Sequence, residues 1–226
     1  QSEDASSDSF PLKDTQVNAS ISGVIADVNV QQVYKNEGKT TLEAVYVFPM
    51  STKAAVYGMT MTIGDRRIEA NIQRKEEARK NYEQAKAEGK SASLLEQKRP
   101  NVFEMNVANI LPGDEIKVDL RYTELLVPEE QTYEFVFPTV VGPRFSTTAD
   151  TPENKDENWI ENPYLEKGKD SPSKVSINVD INAPFPIRMA KSTSHEMNAE
   201  YSSKNDAHFT LPNAKQNKDF ILQYKL

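Results

Sequence analysis

Apolar and polar residues alternate along much of the chain, most clearly over 116–123. Ile116, Val118, Leu120 and Tyr122 are separated there by charged or polar residues. Successive side chains of a strand point to opposite faces, so this pattern predicts a strand with one buried and one solvent-exposed face. Alternating or continuously apolar runs predict further strands at 17–34, 42–50, 55–63, 102–110, 132–138, 174–181, 186–190, 206–211 and 219–225.

Glycines mark the predicted turns. Gly64 and Asp65 stand between two alternating runs, which predicts a β-hairpin. The sequence Leu-Pro-Gly-Asp at 111–114 predicts a second hairpin, closed by a type II turn with its positive φ at the glycine. Within 17–34 the apolar positions change from odd to even numbers at Gly23, so we expect one long strand with a bulge or bend there.

One segment, 75–88, is predicted to be helical. Its Ala78, Tyr82 and Ala85 form a single narrow apolar stripe at helical spacing, and Gly89 is suited to the position after a helix end. A stripe this narrow cannot drive folding alone, so the helix should lie against a sheet and leave its charges in water. The predicted fold is therefore mainly β: an antiparallel β-sandwich with one inserted amphipathic α-helix and a second set of strands at the C-terminus.

Changes in composition predict four parts of the chain. Residues 1–14 form a small, polar, acidic tail, and 15–145 hold the main β domain. Residues 146–173 are rich in Pro, Asn, Asp and Glu and predict a long polar loop, and 174–226 carry strands that we expect to complete the same β body. The tail resembles the start of a mature exported protein in a bacterial periplasm, cell envelope or medium, although an arbitrary fragment boundary explains it nearly as well.

Composition excludes several classes of function. The absence of cysteine from the 226 residues rules out disulfides, thiol chemistry and cysteine-bound metals. The formal net charge is −7, and the few basic clusters are interleaved with acidic residues, which argues against nucleic-acid binding. No apolar run reaches the ~18–20 residues of a membrane-spanning helix.

No catalytic set is predicted. The two histidines, His195 and His208, have no motif around them, and the chain lacks Gly-x-Ser-x-Gly, His-Glu-x-x-His and a glycine-rich phosphate loop. We therefore expect no catalytic residues, no cofactor and no metal. The alternating oxygen-bearing residues could ligate calcium, but any strand with a solvent-exposed face places polar residues in the same way. These residues are Asp27, Asn29, Asn178, Asp180 and Asn182.

Two aromatic residues in the polar segment 146–173 are candidate contacts for a ligand or partner. Trp159 and Tyr164 could stack on a sugar ring, since loops of β-sandwiches often carry binding sites. The interpretation that we favour is that they pack this loop onto the β body.

The order of elements resembles the VIT domain, the vault protein and inter-alpha-trypsin inhibitor heavy-chain domain, over roughly 15–145. The matching positions are Tyr46, Phe48, Pro49, Glu77, Ala78, Tyr82, Ala85, Gly89, Leu94, Leu95, Glu96, Phe103, Pro112, Gly113 and Tyr122. The resemblance implies a β-sandwich whose long connection holds the helix. It also implies a following von Willebrand type A domain, which binds a divalent ion through an Asp-x-Ser-x-Ser loop. The nearest string, at 4–8, ends in Asp instead of Ser and has no strand before it, so we reject it as a metal loop.

Two functions are consistent with these observations. The first is a non-catalytic structural or protein-interaction domain of an exported multidomain protein, which packs on or orients a von Willebrand type A adhesion domain. Other proteins and matrix glycans are further possible partners. The alternative is a stand-alone carbohydrate- or calcium-dependent binding module.

Overall fold

The computed structural model describes residues 12–49, 51, 53–69, 84, 87–88, 92–99, 102–139, 143–144, 173–214 and 218–226. Within these residues the chain forms β-strands, and each strand range predicted from the sequence overlaps at least one of them. The strands are β1 Leu12–Ser22, β2 Ile25–Lys35, β3 Leu42–Pro49, β4 Ala54–Ile63, β5 Arg66–Glu69, β6 Ala92–Arg99, β7 Val102–Ile110, β8 Glu115–Leu125, β9 Tyr133–Phe137, β10 Pro143–Arg144, β11 Lys174–Asn182, β12 Met189–Ser192, β13 Asn198–Tyr201, β14 Asp206–Ala214 and β15 Phe220–Lys225.

The strands form three sheets. The largest has eight strands in the order β13-β14-β11-β1-β2-β8-β4-β5. A four-stranded sheet has the order β10-β3-β7-β6, and a three-stranded sheet has the order β12-β15-β9. The C-terminal strands are thus divided between the largest sheet, which receives β11, β13 and β14, and the smallest, which receives β12 and β15.

The prediction of a wholly antiparallel fold is wrong at one pair of strands. β1 and β11 run parallel, in register from Asp14 opposite Lys174 to Ser22 opposite Asn182. Parallel neighbours need a long connection, and the chain between these two strands provides one. The eight-stranded sheet is therefore mixed: β11, β13 and β14 come from 174–214 and its other five strands from 12–125.

One hydrophobic core joins the eight-stranded sheet to the three-stranded sheet. Alternate residues of β1, β2, β8 and β11 are buried, which leaves the opposite face of the large sheet toward solvent. The three-stranded sheet contributes large aromatic side chains to the same core. The rings of Tyr133 and Tyr224 stack with centroids 4.9 Å apart, and Phe135 meets Phe220 edge-on at 6.4 Å.

The predicted bulge at Gly23 is wrong, because the chain reverses there. Gly23 and Val24 form a two-residue turn between β1 and β2, with Ser22 paired to Ile25. Gly23 has φ 61°, as the first central position of a type II′ turn requires. Residues that pair across two strands point to the same face of the sheet, and the paired residues Ser22 and Ile25 have an even and an odd number. The hairpin therefore explains why the apolar positions change from odd to even.

The other two predicted turns have different outcomes. Gly64 and Asp65 connect β4 to β5, so the first predicted hairpin is confirmed. At 111–114 the turn is confirmed, since Gly113 has φ 85° and the amide of Asp114 donates to the carbonyl of Leu111 at 3.1 Å. The flanking strands β7 and β8 belong to different sheets, so the predicted second hairpin is wrong.

The described residues do not support a helix over 75–88. They include only Gln84, Ala87 and Glu88 of that segment, and the hydrogen bond from the amide of Glu88 to the carbonyl of Gln84, at 3.1 Å, accounts for no more than a single helical turn. The apolar stripe residues lie outside the described part of the chain. Three strands were not predicted from the sequence, β6, β10 and β13, and all three lie at the edges of their sheets.

Candidate functional site

The solvent-exposed face of the eight-stranded sheet carries a network of polar side chains. Asp119 on β8 is its centre and accepts hydrogen bonds from Asn29 at 3.1 Å, Gln31 at 2.9 Å and Arg121 at 3.1 Å. Burial alone would raise the pKa of Asp119, but the donated hydrogen bonds outweigh it and hold the pKa below its usual value. The carboxylate is thus already saturated by its neighbours.

A second carboxylate on this face is also engaged. The hydroxyl of Tyr57 donates to Asp27 at 2.7 Å, and this hydrogen bond is the main cause that raises the pKa of Tyr57. Farther across the sheet, the amide of Asn178 donates to Asn18 at 2.9 Å. On most of this face the polar side chains therefore form hydrogen bonds with one another.

A cleft of about 310 Å³ opens on this face, where β1, β11, β14 and β13 lie side by side. Its polar lining comes from Asp180 and Asn182 on β11, Glu200 on β13, and Asp206 and His208 on β14. Tyr201 also borders the cleft, but its cross-strand partner is the buried Ala207 and its ring meets Phe209 edge-on at 6.1 Å, so the ring lies on the opposite face of the sheet from His208. Three of the ten lining residues are acidic, and His208 adds one imidazole.

His208 and Asp180 face each other inside the cleft. They are paired residues of β14 and β11, and Nδ1 of His208 lies 2.6 Å from Oδ1 of Asp180. A carboxylate that orients an imidazole is one half of a catalytic triad. Here, however, the two side chains are 42% and 65% exposed, so water screens the pair and nothing encloses it as an active site would.

A turn closes one end of the cleft. Asp206 accepts hydrogen bonds from Asn182 and Ser203. The hydroxyl of Ser203 in turn accepts from the amides of Asn205 at 3.0 Å and Asp206 at 3.1 Å. This local network fixes the turn between β13 and β14 and with it the rim of the cleft.

The geometry does not favour the calcium site considered from the sequence. Asp27 and Asn29 are on β2, and the other candidate ligands are on β11, with β1 between them. Two strand spacings separate the groups by about 10 Å, whereas calcium ligands lie at about 2.3–2.6 Å from the ion. Within the described ranges, no group of three or more histidine, aspartate and glutamate side chains is placed to hold a metal.

His195 lies apart from the cleft, between β12 and β13. Its Nδ1 is 2.8 Å from the hydroxyl of Ser194, and its ring is tilted against Phe220 with centroids 6.1 Å apart. Burial, and then the charge of Lys218, lower the pKa of His195. The residue is a packing histidine of the connection that leads from β12 to β13.

Trp159 and Tyr164, the contacts proposed from the sequence, lie outside the described residues. The cleft residues Glu200, Tyr201 and Asp206 were missed by sequence reasoning. All four residues of β13 are exposed, so the strand lacks the alternation of buried and exposed residues that marks other strands. In the sequence, the tyrosine at 201 among polar residues was the one available signal for this strand.

The fold and its polar surface define the class: a β-rich domain built on a mixed sheet. Residues 12–122 match the sequence profile of the family described as the vault protein inter-alpha-trypsin domain, or VIT. The chain thus carries a VIT domain and belongs to this family, as the resemblance in the sequence suggested.

The relatives are much longer proteins. Human von Willebrand factor A domain-containing protein 5A is 39% identical over 138 residues, which cover 60% of this chain and 18% of that protein. Human protein mono-ADP-ribosyltransferase PARP4 is 31% identical over 195 residues, 86% of this chain and 11% of that protein. The chain therefore spans less than a fifth of either relative.

A solved structure shows the same fold. A Legionella pneumophila protein described as a nutrient-binding protein superposes with a TM-score of 0.51 at 8% identity, covering 96% of this chain and 67% of that one. At this identity the likeness concerns the fold alone.

Within the described residues, no helix has the length and apolar character to cross a bilayer.

Proposed function

We propose that this chain is a non-catalytic interaction domain of a larger polypeptide, and that it packs on or orients a von Willebrand type A domain. The observation that carries the proposal is the VIT match over 12–122, together with a relative named for its von Willebrand type A domain. The surface is consistent with this role. Its carboxylates are saturated by neighbours or exposed to water, which suits a scaffold better than a reaction site.

We further propose that 174–226 belong to the same folding unit as 15–145. β11 lies between β1 and β14, so the large sheet has no natural break between the two segments. The alignment with PARP4, which spans 195 residues, is longer than the VIT match and supports one shared unit.

Export to a periplasm, cell envelope or medium remains part of the proposal, supported by the small acidic residues of 1–14.

The direct test is binding between this chain and the von Willebrand type A domain encoded with it. The two would be produced separately and mixed in a calorimeter, with and without magnesium. Saturable binding at micromolar or lower Kd is expected. Heat signals no larger than dilution, at concentrations up to the millimolar range, would reject a packing role and leave the two domains merely tethered.

A carbohydrate-binding role is the second candidate, and the polar cleft favours it. Its carboxylates and imidazole can form hydrogen bonds with sugar hydroxyls. Screening against a glycan library should then give ligands that Glu200→Ala loses and Tyr57→Ala retains. If only Trp159→Ala or Tyr164→Ala abolishes binding, the site is in the 146–173 loop instead.

A further inference from the structure

Exposed apolar side chains gather at one end of the eight-stranded sheet. Of the large apolar side chains exposed in the described part of the chain, five lie there and form what we call the end surface. These are Val24, Ile25, Leu125, Val127 and Phe185. Phe185 is 65% exposed, the largest value in this set. Contiguous exposed apolar patches on soluble domains commonly mark contact sites with other proteins.

Backbone contacts hold these residues together. Ile25 and Leu125 are cross-strand partners on β2 and β8, both exposed, so their Cβ atoms are about 5 Å apart. The amide of Leu126 donates to the carbonyl of Val24 at 2.8 Å, which places Val127 beside the β1–β2 turn. The amide of Gly23 donates to the carbonyl of Asn182 at 3.2 Å and brings the connection with Phe185 to the same end.

A strained turn borders the end surface. Glu129 and Thr132 exchange backbone hydrogen bonds of 3.0 and 2.8 Å around Glu130 and Gln131. These two central residues have φ of 48° and 63°, left-handed values that favour Asn and Gly and strain a residue with a longer side chain. Strain of this kind is concentrated at functional sites. The turn begins two residues after Val127, so the strain and the apolar surface are neighbours.

The last strand runs toward the same end. The hydroxyl of Tyr224 donates to the carbonyl of Gly23 at 3.4 Å, and the amide of Arg188 donates to the carbonyl of Lys225 at 2.8 Å. β15 therefore finishes beside the β1–β2 turn. A domain joined after β15 would begin next to the end surface, within reach of it through a short linker.

We propose that the end surface is the docking site for the von Willebrand type A domain of the same polypeptide. The inference rests on the proposed function and specifies its contact. Docking buries the five apolar side chains against an apolar patch of the partner, and the direction of β15 keeps the two domains at a high effective concentration.

The test compares two matched surface variants in calorimetry with the separately produced von Willebrand type A domain. Val127→Glu combined with Phe185→Glu places two charges in the docking site, and both positions are outside strands. Leu111→Glu is the control, because Leu111 is 50% exposed but lies at the other end of β8, about 33 Å away. We expect at least a tenfold rise in Kd for the double variant and less than a twofold change for the control.

The outcomes separate this inference from the proposed function. If the wild-type chain binds and the double variant binds equally well, the end surface is the wrong site while the interaction role stands. If the wild-type chain does not bind, both proposals fail. Sedimentation of the chain alone adds a further outcome: a dimer that the double variant breaks would assign the surface to a second copy and overturn the inference.

A measurement on the wild-type chain guards against misfolding of the variant. Amide hydrogen exchange with and without the partner domain should show new protection at 24–25, 125–127 and 183–188. Protection confined to other segments would also overturn the proposed site.

Discussion

At the scale of single residues, Asn36 connects the loop after β2 to the Pro112–Gly113 turn. It is fully buried, and its side-chain amide donates to the carbonyls of Thr40 at 3.0 Å and Ile110 at 3.1 Å. Its side-chain oxygen accepts from the amide of Gly38 at 2.9 Å. One polar side chain therefore satisfies three backbone groups at the point where the chain crosses between two sheets.

Replacing Asn36 by Ala should lower the free energy of unfolding by about 2–4 kcal/mol, because buried backbone groups lose their partners. Urea denaturation measures the change. Asn18→Ala is the control, since Asn18 lies on the exposed face and should cost less than about 0.5 kcal/mol. Equal effects of the two substitutions would show that Asn36 is not a structural junction.

His195 predicts a specific dependence of stability on pH. Its folded pKa is lowered, first by burial and then by Lys218, so the unfolded chain binds a proton more readily. The stabilising contribution is complete above the unfolded pKa of about 6.5 and is lost as pH falls through that value toward the folded pKa. Solvent screening limits its size, because the imidazole is only partly buried.

Urea midpoints of the wild-type chain should therefore fall between pH 7.5 and 5.5, and His195→Gln should remove part of that fall. His208→Gln is the matched control, since it deletes the other of the two histidines and should leave the contribution of His195 in place. An unchanged slope in His195→Gln would contradict the assignment.

At the scale of elements, local patterns predicted strands well and their partners poorly. The alternation over 116–123 identified β8, and the Gly64–Asp65 pair identified a hairpin, because both signals act over a few residues. The turn at 111–114 was identified by the same local chemistry. Whether its flanking strands pair with each other or enter different sheets depends on distant partners, which the turn does not encode.

The β1–β2 hairpin gives a quantitative prediction for its turn. Gly23 has φ 61° and open space where a Cβ would stand, so Gly23→Ala should lower the free energy of unfolding by about 1–2 kcal/mol through backbone strain alone. Gly58→Ala is the control, because its added Cβ would make ordinary contacts at 3.6 Å from Arg121 and no positive φ is involved. Thermal or urea unfolding of both variants measures the difference.

At the scale of the whole molecule, the missed features are those set by long-range contacts. β13 is exposed at every residue, so nothing local distinguishes it from a loop, and the cleft that it borders was missed with it. Asp180 and His208 were recognised as polar strand residues, but their pairing depends on the register of β11 and β14. The parallel pairing of β1 with β11 was likewise beyond any local pattern.

The shared sheet predicts that the VIT segment will not be stable without the C-terminal strands. A fragment ending at residue 145 lacks β11, which leaves β1 with an open edge and uncovers part of its buried face. Such a fragment should bind hydrophobic dyes, aggregate or show poor dispersion in amide NMR spectra. Adding a 172–226 peptide should restore the folded spectrum, whereas a well-folded fragment alone would show that 174–226 form a separate unit.

The parallel pairing also has a consequence during synthesis. Asn18 on β1 meets a partner, Asn178, that is 160 residues later in the chain. At about 5–20 residues per second, the ribosome needs roughly 8–32 s to produce that partner. During this time the nascent β1–β2 hairpin presents an unpaired edge. We therefore expect co-translational folding to be delayed until the C-terminal strands emerge. Factors that protect nascent chains should then affect the yield of folded protein more than the stability of the native state does.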